Sequence, residues 1–163
     1  MAILSRATAL VAALLLFVAP SVAQSPSPSP TLALEGKVKQ PQHWTLDDLR
    51  KMPAQHAEIA YQTEHGQVKA SYTGVPLWSL IAAAGGIDDA TRNAVVRHTI
   101  RITATDAYVV VLSTGEVSPD LGNAGALVAY ERDGKPLDNL HVVMPGDKNG
   151  ARDIHDVVTI AVE

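Results

Sequence analysis

The residues with most to offer chemically fall near the end of the chain, in the run Gly150-Ala151-Arg152-Asp153. Glycine lets a backbone approach a flat ligand closely. Arginine carries a planar fork of donors that can stack on a ring or hold a carbonyl oxygen. A carboxylate such as Asp153 can accept two bonds from a ligand edge with adjacent N–H donors. The competing reading is a surface loop in which Arg152 and Asp153 form a local ion pair or caps. Six histidines invite a zinc reading, but His43, His56, His65, His98, His141 and His155 are scattered without H-x-H or H-E-x-x-H spacing. His98 and His141 fall in strand-like segments and read as satisfied structural residues. There is no cysteine, hence no disulfide and no thiolate to ligate a metal or act as a nucleophile. No G-x-S-x-G elbow, G-x-G-x-x-G turn or P-loop is present, which removes the common hydrolase and nucleotide-binding readings.

The elements that must position these residues begin after an export signal. Met1 to Thr8 carries the single charge Arg6, Ala9 to Ala19 is an apolar run too short to span a bilayer, and Ser21-Val22-Ala23 supplies small residues for cleavage after Ala23. Residues 1–23 are therefore expected to be a signal peptide and 24–30 a semi-rigid Ser/Pro linker. The product is expected in the periplasm, or outside the cell, without a lipid anchor. Residues 31–163 form one folded domain, since about 130 residues build one core but hardly two. Without Arg6 the chain keeps 12 basic against 17 acidic residues, a net charge of −5. That argues against nucleic acid and against an anionic membrane surface.

Short strands dominate the domain. Thr31 to Val38 alternates weakly, and Thr45-Leu-Asp-Asp48 is a capping box opening a helix that Pro53 stops. Ala57 to Gln62 and Gln67 to Tyr72 read as strands joined at His65-Gly66. Pro76 starts a helix running through Ala84, ended by Gly85-Gly86. Val95 to Thr105 alternates, with Val96, His98, Ile100, Ile102 and Ala104 on one face. Tyr108 to Ser113 reads as a strand buried on both faces. Ala126 to Glu131, the Asp133-Gly134 turn, His141 to Met144 and Val157 to Val162 complete the set. Two short helices among about eight strands point to an α+β fold with antiparallel or mixed pairing. Trp78 reads as core and Trp44 as a staple ahead of the first helix.

The order of the segments carries more information than any one of them. Glu35-Gly36 is followed by Trp44-Thr-Leu-Asp-Asp-Leu-Arg-Lys-Met-Pro53, then by Tyr72-Thr-Gly-Val-Pro-Leu77 with its helix ending Ala84-Gly-Gly86. Ala104-Thr-Asp-Ala-Tyr108, Leu127 to Leu137 and Val142 to Arg152 come next. This succession resembles the molybdopterin-binding domain of the sulfite-oxidase family over nearly the whole mature domain. The resemblance implies a sulfite-oxidase-like fold, mostly β with mixed sheets and short helices, and a pterin in a cleft lined by loops. It also implies that the Gly-Ala-Arg turn lies against that pterin, with Asp153 facing its amino-pyrimidine edge. In the enzymes of this family a cysteine between the two helices ligates molybdenum. Here that stretch reads Tyr61-Gln-Thr-Glu-His-Gly-Gln67, without sulfur, and neither Glu64 nor His65 reproduces a thiolate. Thr63, Glu64 and His65 would then line the cleft, or form an ordinary hairpin turn. Lys148 would meet a cofactor phosphate, or be a solvated loop charge. At the family's strand corner Ala107 replaces the usual glycine, Asp106 caps the turn and Tyr108 fills the core edge.

The expectation is a non-catalytic periplasmic pterin-binding protein that takes a pterin as ligand without molybdenum. Small proteins of this kind are thought to signal to a membrane-bound partner such as a cyclic-di-GMP enzyme. The alternatives are a divergent molybdopterin-dependent oxidoreductase, or a subunit of one, and an interaction domain that has lost the pocket.

Overall fold

A computed structural model describes residues 30–163; the expected signal peptide and all but the last residue of the Ser/Pro linker lie outside the described residues. Nine strands and three short helices form two sheets. The first sheet has the order β2-β1-β9-β5-β6, built from β1 (Thr31–Gly36), β2 (Gln42–Thr45), β5 (Thr99–Ala104), β6 (Val109–Ser113) and β9 (Val157–Val162). It is mixed, because β1 runs parallel to β9 while its other pairings are antiparallel. The second sheet, β3-β4-β7-β8, is antiparallel throughout and comprises β3 (Gln55–Thr63), β4 (Gly66–Pro76), β7 (Leu127–Arg132) and β8 (Lys135–Val143). This is the mostly β architecture with short helices that the segment order implies.

The alternation of apolar residues sets the core. Leu32, Leu34, Ile100, Ile102, Ile160 and Val162 of the first sheet join Val75, Val128, Tyr130, Leu140 and Val142 of the second in one buried cluster. Helices α1 (Leu46–Lys51) and α2 (Leu77–Ala83) contribute Leu49, Leu77, Leu80 and Ile81 to it. The capping box that opens α1 is present: the Thr45 hydroxyl accepts from the Asp48 amide, and the Asp48 carboxylate accepts from the Thr45 amide. Trp44 and Trp78 are half-buried against this core, although Trp44 belongs to β2, a strand absent from the sequence reading.

Because side chains alternate across a strand, the other face of the second sheet carries a second set. Ile59, Ala70, Tyr72, Leu127, Ala129 and Val143 form a separate buried cluster there, joined by Tyr61 and Leu137. This outer face holds the candidate site.

Four expectations are corrected. Val95 to Thr105 is not one strand: residues 94–96 form a 3-10 turn, Val96 is exposed, and pairing starts at Thr99 opposite Ser113. Only from that point does a neighbour exist to make alternation useful, and Ile100, Ile102 and Ala104 then alternate as read. Tyr108 to Ser113 is not buried on both faces. It forms the edge strand β6, which buries Val110 and Leu112 and exposes Val109 and Val111, because nothing among the described residues covers its outward side. Tyr108 is exposed and does not fill the core edge. The hairpin between β3 and β4 turns at Glu64-His65, one residue earlier than read. A short helix, α3 (Thr114–Val117), was not legible in the sequence.

Candidate functional site

After β8 the chain leaves the sheet at Met144 and folds back over its outer face. Val142 and Ile154 exchange backbone hydrogen bonds of 2.8 and 2.9 Å, a bridge that fixes the returning segment alongside β8. Ile154 is buried. With Ile154 turned inward, period-two geometry sends Asp153 and His155 together to the opposite side. His141, next to Val142, stacks on His155 with ring centroids 4.2 Å apart and planes 13° from parallel. Tyr72 of β4 lies 6.3 Å from the His141 ring, and the Arg132 guanidinium sits over the Tyr72 ring at 5.6 Å.

Asp153 is the centre of this cluster. Its side chain is only 7% accessible. One carboxylate oxygen, Oδ2, accepts a 2.7 Å hydrogen bond from the Tyr61 hydroxyl. The other, Oδ1, is buried and has no hydrogen-bond partner among the described residues; neither does the buried Nδ1 of His141. His155 Nε2 is 3.6 Å from Asp153 Oδ1, too far for a hydrogen bond, and its side chain is 55% accessible. The surroundings register this arrangement. Burial, reinforced by the bond to Asp153, pushes the Tyr61 hydroxyl up to about 12. Burial, then the charge of Asp153, raises Tyr72. Burial, then His155, lowers His141 and favours its neutral imidazole.

Arg152 has the opposite surroundings. Its Nε donates to Asp147 at 2.8 Å and Nη1 donates to Glu116 at 2.8 Å, while Nη2 completes a bidentate pair with Asp147. Those bonds raise its pKa further above the usual arginine value. Arg152 is thus ion-paired, with Asp147 and Glu116 as its partners and not with Asp153. The planar fork is engaged by Asp147.

The other sequence-predicted residues sort in the same way. Gly150 opens a 3-10 turn over residues 150–152, capped by the Asn149 side chain on the Ala151 amide. A Cβ at Gly150 would lie 2.8 Å from Tyr61 Cε2, so the flat group that glycine admits is the protein's own tyrosine ring. The Ala151 carbonyl accepts from the Tyr108 hydroxyl at 2.8 Å. Asp106 caps its turn as read, accepting from the Tyr108 amide at 2.9 Å, and Ala107 takes φ 66° in the left-handed region. Lys148 is exposed, and its carbonyl accepts from the Gln62 amide at 3.1 Å. Thr63 donates to the Gly66 carbonyl at 2.8 Å and accepts from the His65 amide at 3.2 Å. With Glu64 and His65 exposed at the tip, this is the hairpin-turn reading. The hairpin and the 148–153 turn do lie side by side, as expected, joined through Tyr61, Gln62 and Gly150.

Two surface cavities, of about 270 and 150 Å³, lie elsewhere. The larger is lined by Thr31, Thr105, Asn139 and Asp156 among others, and the smaller by Gln55, Trp78, Pro119 and Asn123 among others. No sequence-predicted ligand residue lines either one. Sequence reasoning also missed Tyr61, Tyr72, His141 and His155 as site residues. His98 is the satisfied residue expected, bonded to Asp89 and to the Glu163 carbonyl at 2.9 Å each. His141 is not. The available signal was Asp153-x-His155 in an extended run opposite a histidine strand.

The family model described as oxidoreductase molybdopterin binding domain matches residues 21–143. The match stops short of the Gly150–Asp153 turn. Among solved structures, the sulfane dehydrogenase SoxCD from Paracoccus pantotrophus aligns with a TM-score of 0.66 at 17% identity. The alignment covers 82% of this chain and 38% of that one, a likeness of fold. No curated protein sequence matches.

Proposed function

The chain belongs to the oxidoreductase molybdopterin-binding domain family, and from that premise we propose that it is a periplasmic pterin-binding protein without oxidoreductase chemistry. The observation that carries this reading is the unpaired Oδ1 of Asp153, a buried carboxylate oxygen without a hydrogen-bond partner among the described residues. Leaving such an acceptor unpaired costs about 1–3 kcal/mol, and a ligand with N–H donors recovers it. The amino-pyrimidine edge of a pterin carries those donors side by side. The fit is with the organic ring. It does not extend to molybdenum, because the chain contains no cysteine and the stretch that holds the family's thiolate is a solvent-facing turn. Tyr61 fixes the rotation of the carboxylate through Oδ2, leaving Oδ1 to select for donors and against acceptors. Lys148, exposed at the same edge, is available to an anionic substituent.

Calorimetric titration of the purified protein with a tetrahydropterin tests the reading: one-to-one binding supports it, and no heat of binding at high micromolar pterin rejects it. A second reading, a divergent molybdopterin-dependent oxidoreductase or a subunit of one, is favoured by the family description and by the dehydrogenase whose fold this chain shares. Metal analysis of protein made in its natural host separates the two, since stoichiometric molybdenum belongs only to the second. Relay to a membrane-bound partner is part of the first reading; co-purification of a membrane protein in a pterin-dependent manner tests it.

A further inference from the structure

We propose that His141, Asp153 and His155 form a binding site for a single divalent transition cation of the zinc type. Three observations carry the proposal together. One candidate ligating atom from each residue lies within 4.8 Å of the other two. Two of the polar atoms, Asp153 Oδ1 and His141 Nδ1, are buried and have no hydrogen-bond partner among the described residues. The bridge between Val142 and Ile154 holds the two backbone segments that bear the ligands.

The donor set is specific in kind. Two imidazole nitrogens and one carboxylate oxygen suit zinc and neighbouring divalent ions, whereas the lack of thiolate disfavours copper(I) and iron–sulfur chemistry. A tetrahedral ion with bonds of about 2.0–2.1 Å holds its donors roughly 3.3 Å apart. The cluster must therefore contract by at most roughly 1.5 Å. His155 can supply that movement by side-chain rotation, because it is the exposed member; His141 and Asp153 are held by packing. Tyr61, donating to Asp153 Oδ2, orients the carboxylate from outside the cation's coordination sphere. Three protein ligands leave a fourth position open to water or another molecule. This site is separate from the molybdenum chemistry of the family and does not rest on the pterin reading. Both use Asp153 Oδ1, so cation and pterin are expected to weaken one another's binding, reciprocally.

The test uses untagged protein freed of metal with a chelator and titrated with zinc sulfate in the absence of pterin, followed by calorimetry. Cobalt(II) absorption reports the coordination number in parallel. Stoichiometric binding is expected, lost by about tenfold or more in His155→Ala and retained in His65→Ala and His43→Ala. His155 is exposed, so its replacement leaves the fold intact; circular dichroism verifies this. Asp153→Asn should also abolish the tetrahedral cobalt spectrum. Absence of zinc binding at high micromolar concentration, or binding unaltered by His155→Ala, overturns the proposal. Neither result bears on whether the metal-free protein takes up a pterin.

Discussion

Arg152 and Asp153 are adjacent in the chain, yet their side chains meet opposite conditions. Arg152 is half-buried and engaged by two carboxylates, Asp147 and Glu116. Asp153 is almost fully buried and engaged on one oxygen only. The first cluster is closed: one guanidinium is bonded to both carboxylates, and it ties the 147–152 turn to α3. The second is open: it retains the desolvation cost of an unpaired acceptor in a place where ordinary packing would have eliminated it. Charge and position in a motif made the two residues look alike as ligand contacts. Satisfaction of hydrogen bonds separates them: Arg152 is fully engaged by its neighbours, and Asp153 keeps an unpaired oxygen, which is what the proposed recognition role rests on.

That contrast can be broken by substitution. The largest effect is expected from Asp153→Asn, which keeps size and an acceptor for Tyr61 but removes the charge. Pterin affinity should fall by roughly 10- to 100-fold, the value of a charge-assisted hydrogen bond, with little change in the denaturant midpoint. Equal affinity for both proteins would place the ligand elsewhere. Arg152→Ala should do the reverse. It leaves Asp147 and Glu116 facing each other without a cation and is expected to cost about 1–2 kcal/mol in urea unfolding, a figure reduced by solvent screening of this partly exposed group. Its pterin affinity should stay within about twofold. A smaller effect, about 1 kcal/mol, is expected for Gly150→Ala. There the new methyl meets the Tyr61 ring, so both stability and ligand affinity should decline, because that ring sets the carboxylate. The smallest effect is expected at a residue that belongs to neither cluster and serves as a control. Hydrogen bonds from Thr91, then from His98, hold Asp89 below its ordinary value of 3.8. Its contribution to stability is therefore present above pH 4 and is lost as pH falls through the folded-state value. Asp89→Asn should flatten the acid limb of the stability profile below pH 4 and leave ligand binding unchanged.

The fold was largely legible because it follows local rules. The Thr45–Asp48 capping box, the Asp133-Gly134 turn and the alternation of Ile100, Ile102 and Ala104 are each set by neighbours in sequence. Misreadings arose where position within a sheet decides. The run Val109 to Leu112 looks buried on both faces by composition, and half of it is exposed because nothing among the described residues covers the outward face of the strand. The site was legible in part. Asp153 is singled out by residue type, and Thr63, Glu64 and His65 are read as cleft lining or an ordinary hairpin turn, the latter being their observed conformation. His141 and His155 were not singled out, because they are joined by a backbone bridge between segments 12 residues apart, and no motif records that pairing. Arg152 reads two ways from sequence, because a planar donor fork serves an aspartate as readily as it serves a ligand.

Side-chain NMR of the metal-free protein during a tetrahydropterin titration tests the contrast between the two clusters most directly. The ring signals of Tyr61, His141 and His155 are expected to move in proportion to occupancy, while the Arg152 Nε–H signal stays in place with its Asp147 bond intact. Movement of Arg152 with the Tyr61 and histidine rings unchanged would contradict the account.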